Sequence, residues 1–228
     1  MFTSLINLFY PPVCAGCDSL LLANEKVICS HCRHEIPLTN HHLDPQNEAM
    51  KKFYGKIPVV FTATFLYYHK KGIVQQLIHN LKYHGLEDIG TVIGHWYAAE
   101  LQTIDLLKDV DEIIPVPLHK RKLRERGYNQ VTKFGSALSE SLKITFNDRL
   151  LLRKVYSKTQ THKNLLGRSE VGKAEIFSVQ LNELDHGKHF LLIDDVLTTG
   201  STLESCSKAL LKIPNARISI VCMAMSHS

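Results

Sequence analysis

Residues 190–203 read Phe-Leu-Leu-Ile-Asp-Asp-Val-Leu-Thr-Thr-Gly-Ser-Thr-Leu, and no other stretch of the chain limits its fold as tightly. Phe190, Leu191, Leu192 and Ile193 make the short apolar run of a fully buried strand. Asp194 and Asp195 then put two carboxylates where that strand is expected to end, the edge at which open α/β sheets bind ligands. Ser201 with Glu204 three residues later has the spacing of a capping box and predicts a helix start, with Leu203, Cys206, Leu210 and Ile213 as its buried stripe.

A helix start supplies unpaired N–H groups and the positive end of a dipole. Thr198, Thr199, Ser201 and Thr202 add hydroxyls, and Gly200 lets the backbone come close to a ligand. That constellation suits a phosphate dianion. The sequence has neither the glycine pattern of a dinucleotide site nor the Gly-Lys-Ser/Thr of a P-loop. Two acids ahead of a hydroxyl-rich loop fit a sugar phosphate better, because carboxylates accept hydrogen bonds from vicinal ribose hydroxyls while the loop takes the 5-phosphate. The bland alternative is a pair of acids that merely caps a helix.

Four of the six cysteines fall in two Cys-x-x-Cys knuckles, Cys14 with Cys17 and Cys29 with Cys32. Four thiolates so spaced complete a tetrahedral Zn²⁺ shell with no position left for water, which makes a structural site. Disulfides or a redox Cys-x-x-Cys are the competing readings. A chain without an export signal disfavours the first, and a redox motif needs no second copy. His31 and His34 could replace one thiol but are expected beside the ligands or exposed, and Cys206 and Cys222 are expected in the core. So small a ribbon buries little surface, so metal binding is expected to supply its folding free energy. Residues 1–36 carry Lys26 and Arg33 against Asp18, Glu25 and Glu35, too little positive charge to hold phosphates.

Residues 1–10 show no basic flank or cleavage site, and no apolar run approaches the ~20 residues of a membrane helix, so a cytoplasmic location is expected. Residues 37–58 are polar and read as a linker, which divides the chain into a ribbon (1–36), a linker (37–58) and a main domain (59–228). Over residues 59–68 β-formers alternate. Ile73, Leu77 and Leu81, then Val92, Ile93, Trp96 and Ala99, follow helical spacing with a break at Gly85. A strand at 112–118, a basic loop, a helix at about 129–142, a strand at 150–154, a second basic loop, and a final strand at 217–224 complete the order. Strands alternating with helices predict an α/β fold with a parallel sheet.

Charge is concentrated. Residues 115–173 hold 14 Lys and Arg against 4 Asp and Glu, a balance of +10, while the rest of the chain carries −5. A solvated face is the ordinary reading of such a run; a polyanionic ligand, pyrophosphate or nucleic acid, is the sharper one.

The motif 193–202, the ribbon, the segment Leu81-Lys-Tyr-His-Gly85, and residues 114–130 with Lys120, Arg121, Lys122, Arg124, Arg126, Tyr128 and Gln130 together resemble the ComF/GntX family over nearly the whole chain. The resemblance implies a type I phosphoribosyltransferase fold, a structural zinc, and a role in natural transformation, where incoming single-stranded DNA is handled in the cytoplasm. It implies that 5-phosphoribosyl 1-pyrophosphate (PRPP) binds with Mg²⁺. Asp194 and Asp195 would then meet the ribose as catalytic residues, Thr198, Thr199, Gly200, Ser201 and Thr202 the 5-phosphate, and the turn after Leu118 the pyrophosphate. Lys158, Lys163, Arg168 and Lys173 would lie on a loop over the site.

Three functions share these residues. In an active transferase, Lys120, Arg121, Lys122, Arg124 and Arg126 stabilise departing pyrophosphate, although no base pocket or general base is evident. In a DNA handler, the same cations track a phosphate backbone, with Tyr128, Tyr156 or Phe134 as stacking surfaces. In a PRPP-sensing regulator, ligand binding without turnover changes DNA affinity. Other competence proteins are conceivable partners, and a homodimer is plausible from the fold, with no interface signature.

Overall fold

In the computed structural model, residues 11–154, 176–180 and 182–226 are described. The centre is a five-stranded parallel sheet in the order β1-β7-β6-β2-β3, with β1 at Phe61–Tyr68, β2 at Glu112–Pro115, β3 at Thr145–Phe146, β6 at His189–Leu197 and β7 at Arg217–Ser226. Strands β4 (Leu151–Arg153) and β5 (Phe177–Val179) pair antiparallel as a separate two-stranded sheet. The segment expected as a strand at 150–154 therefore lies outside the main sheet.

Both faces of the sheet are covered, which is why residues 190–193 of β6 and 220–225 of β7 read as unbroken apolar runs. Leu191 and Ile193 join Val221 and Met223 in one core layer, whereas Phe190 and Leu192 join Ile218, Ile220 and Cys222 in the other. The first layer is closed by helices α3 (Ile73–Tyr83), α4 (Asp88–Leu101) and α6 (Thr132–Leu142). α4 and α6 touch closely: a Cβ on Gly94 would stand 2.7 Å from that of Ala137. The second layer is closed by α7 (Ser201–Leu210), whose Leu203, Cys206 and Leu210 are buried together with Ile213, as the stripe predicts.

Other readings also differ from the structure. Residues 37–58 are more than a linker. A single 3₁₀ turn at His41–Leu43 and helix α2 (Glu48–Lys51) pack on the sheet, Asn47 donates to the Thr62 carbonyl at 2.8 Å, and Ala49 and Phe53 are fully buried. Apolar side chains spaced too irregularly to show a period do this packing. Residues 120–126 form helix α5 (Lys120–Arg126) where a basic loop was expected. His119 caps it by accepting from the Arg121 N–H at 3.1 Å, and Gly127 ends it at φ 81°. The acid pair, finally, lies within β6, since pairing with β7 continues through Asp194, Val196 and Leu197.

The ribbon sits on the main domain. Its helix α1 (Ser30–Glu35) brings Arg33 over the Trp96 ring at 5.0 Å, and Asn80 of α3 donates to the Ala15 carbonyl at 2.9 Å. Ala15, Cys14, Cys29 and Cys32 belong to the same buried cluster as β1 and α3. Among the described residues, no helix is long and apolar enough to cross a membrane.

Candidate functional site

Asp194 and Asp195 stand near the carboxyl end of β6, and their surroundings differ. Asp195 is buried at 5% exposure and already bonded: Lys82 Nζ lies 3.0 Å from its carboxylate, and Gln130 Nε2 donates to Oδ2 at 2.7 Å. Arg126 in turn donates to Gln130 Oε1 at 2.7 Å. Asp194 accepts only from the Asp195 N–H, at 2.8 Å, among the bonds found for the described residues. Burial, and after it the charge of Asp195, pushes the Asp194 carboxyl up to about 8. One member of the pair is thus engaged by a cation and an amide, and the other holds a proton near neutral pH.

The strand leaves the acids and turns at Gly200, whose φ of 82° favours glycine and where a Cβ would meet the Phe53 ring at 3.2 Å. α7 begins at Ser201 with Gly200 as its N-cap, and no side chain caps it. The expected capping box does not form. Glu204 instead reaches along the helix to Lys208, and Thr199 Oγ1 accepts from the Ser201 N–H at 3.4 Å. Thr198, Thr199, Ser201 and Thr202 are all exposed at the start of α7, where the first backbone amides of a helix have no intrahelical partner.

Beside the acids, a cleft of about 240 Å³ opens between the end of α3 and α5, lined by Lys82, Tyr83, Lys122, Arg126 and Tyr128 among others. Tyr128 is fixed by a hydrogen bond from its hydroxyl to the Leu81 carbonyl.

The metal-binding candidate is compact. The sulfurs of Cys14, Cys17, Cys29 and Cys32 all lie within 4.8 Å of one another. A tetrahedral zinc with Zn–S of about 2.3 Å sets its sulfurs about 3.8 Å apart, and those of Cys17 and Cys29 are 3.7 Å apart. Backbone N–H groups of Gly16 and Cys29 donate to Cys14 Sγ at 3.3 and 3.2 Å, and that of Cys32 to Cys29 Sγ at 3.4 Å. Such donors favour thiolates over thiols. Cys17, exposed, is lowered to about 6, first by the Ser19 hydroxyl and then by the Ser19 backbone. Burial raises Cys32. The donor set fits Zn²⁺, and His31 and His34 are both exposed on α1.

No protein-family model matches the chain. The DNA utilization protein YhgH of Shigella flexneri is 27% identical over 214 residues, 92% of this chain and 89% of that protein. Competence protein F of Haemophilus influenzae is 36% identical over 108 residues, 47% of each chain. The chain is a homologue of these proteins. Among solved structures, an adenine phosphoribosyltransferase overlaps 68% of this chain and 75% of its own, with 18% identity and a TM-score of 0.38.

In this homologue of DNA-utilization and competence proteins, three motifs far apart in sequence meet. Lys82 from residues 81–85, Gln130 from residues 114–130 and Asp195 form one hydrogen-bonded cluster. Of the five expected cations on α5, Lys122 and Arg126 line the cleft beside it. Arg121 instead pairs with Glu125 at 2.8 Å, and Lys120 and Arg124 are exposed. Phe134 is fully buried and offers no stacking face, whereas Cys206 and Cys222 are core residues as expected. Tyr156, Lys158, Lys163, Arg168 and Lys173 lie outside the described residues. The roles of Lys82 and Gln130 escape a local reading, because each acts through a partner on another element.

Proposed function

We propose that the chain is a cytoplasmic factor of natural transformation that binds PRPP at residues 190–203 and handles incoming single-stranded DNA. The observation that carries this reading is the common edge shared by the acid pair, the hydroxyl turn at the start of α7 and the cationic cleft, in a homologue of DNA utilization and competence proteins.

Within this reading, the exposed hydroxyls of 198–202 and the first amides of α7 take the 5-phosphate. Asp195 is saturated by Lys82 and Gln130 and serves as a fixed anchor. Asp194 accepts the ribose hydroxyls, which favours its ionised form. Mg²⁺ arriving with PRPP supplies charge for the diphosphate, and Lys122 and Arg126 face that end from the cleft. The zinc is structural and takes no part in this chemistry.

The test is calorimetric titration of PRPP with Mg²⁺ into the full chain and into Asp194→Ala and Asp195→Ala. Wild type is expected to bind, and each variant to bind at least tenfold more weakly, about 1.4 kcal/mol. Equal affinity in all three overturns the site. Pyrophosphate release in the presence of nucleobases, lost in both variants, assigns turnover; binding without release assigns the non-catalytic reading. In parallel, single-strand affinity should fall steeply with salt and weaken in Arg124→Glu or Arg126→Glu.

A further inference from the structure

The exposed side of α3 and its cap carry three rings that the function above does not use. The His84 and His79 rings lie 5.1 Å apart, the His79 and Tyr83 rings 5.0 Å apart, and the Arg126 guanidinium lies 5.2 Å over the Tyr83 ring. His79 and Tyr83 share one helix face at a spacing of four residues, and Leu77, Ile78 and Leu81 turn the opposite way into the core. Tyr83 is 64% exposed, and both histidines are exposed. Tyr83 and the two histidines hold their rings in water, while Arg126 is half-buried between the Tyr83 ring and Gln130.

We propose that the strip His84, His79, Tyr83 and Arg126 is a base-stacking platform for single-stranded DNA, leading into the cleft beside Asp195. This rests on the DNA-handling half of the function proposed above. Rings at about 5 Å intervals, each tilted 48° to the next, expose faces that unpaired bases can stack on, whereas bases in a duplex have no free face. The cleft into which the strip leads suits the backbone of such a strand: Lys82, Lys122 and Arg126 line it against a single acid, Glu125. Arg126 also reaches Gln130, and Gln130 reaches Asp195, so the strip ends one side chain from the acid pair.

The experiment measures fluorescence anisotropy of a labelled oligothymidylate with the full zinc-loaded chain, its Tyr83→Ala, Tyr83→Phe and His79→Ala variants, across a salt series. Tyr83→Ala is expected to bind roughly five- to a hundredfold more weakly, the loss of one stacked base, and Tyr83→Phe within about twofold of wild type. The slope of affinity against salt should stay at the wild-type value, since no phosphate partner is removed. His79→Ala leaves Arg126 and the cleft untouched, so its loss of affinity reports stacking even if Tyr83→Ala unfolds. Wild-type affinity in both alanine variants overturns the platform while leaving DNA handling intact. Wild type that binds no single strand overturns DNA handling, and the platform with it. Loss of binding to free nucleobase but not to the oligonucleotide also overturns it, in favour of a small-molecule acceptor pocket.

Discussion

Lys82 sits where its removal separates an electrostatic anchor from simple packing. Lys82→Met keeps most of the apolar stem and deletes the ammonium, which leaves the Asp195 carboxylate, 5% exposed, with only Gln130 as a side-chain donor. Breaking a buried ion pair from one side costs about 3–5 kcal/mol. The Lys82 side chain keeps 21% of its surface in water, so solvent can partly replace it, and about 2–3 kcal/mol is the expected loss. For a domain of this size each kcal/mol moves the melting temperature by about 2–4 °C, so the midpoint should drop by roughly 4–12 °C. Adding Asp195→Asn to Lys82→Met removes the stranded charge and should recover at least half of that drop. Thermal melts of the two single variants and the double variant form a cycle. Additive losses, or a Lys82→Met chain that melts with wild type, refute the anchor.

Asp194 predicts the opposite sign. Its carboxyl, raised by burial and by Asp195 to about 8, keeps its proton in the folded chain while the unfolded chain ionises near the ordinary 3.8. Stability must therefore fall as pH climbs between those values and level off above the higher one. Asp194→Asn lacks that slope, so its stability relative to wild type should rise by roughly 2–4 kcal/mol from about pH 5 to about pH 8, read by denaturant titration; a constant difference would contradict the raised carboxyl. At the ribbon, Cys14→Ser removes a sulfur that receives two backbone N–H bonds. Bound zinc should be lost and amide protection over residues 11–36 should collapse, as read by elemental analysis and hydrogen exchange; a chain that keeps stoichiometric zinc would show that three thiolates suffice.

Local chemistry made much of this molecule legible. Phe190 to Ile193, the two acids and the turn at Gly200 are contiguous, and the periodicities of α3, α4 and α6 come from neighbours in sequence. The four cysteines were equally plain, because thiol spacing alone encodes the knuckles. What escaped was of two kinds. Helix α5 was read as a loop because its residues are nearly all charged and bury nothing, so no apolar period marks it; its signal was the run of good helix formers ending at Gly127. The cluster of Lys82, Gln130 and Asp195, and the seating of Arg126 over Tyr83, arise when elements distant in sequence meet at one sheet edge. Nothing at Lys82 itself distinguishes it from a solvated lysine.

The seating of the ribbon carries a consequence for the far end of α3. Asn80 grips Ala15, and a Cβ on Gly16 would collide with Ile73 at 2.9 Å, so the knuckles are clamped along that helix. The same 11 residues project Tyr83 into the cleft and Lys82 onto Asp195. α3 is a stiff rod about 16 Å long, joined at one end to the four-cysteine ribbon and tipped at the other with side chains that line the cleft. Loss of a metal from those four cysteines would slacken the proposed site at the tip from the far end of the helix.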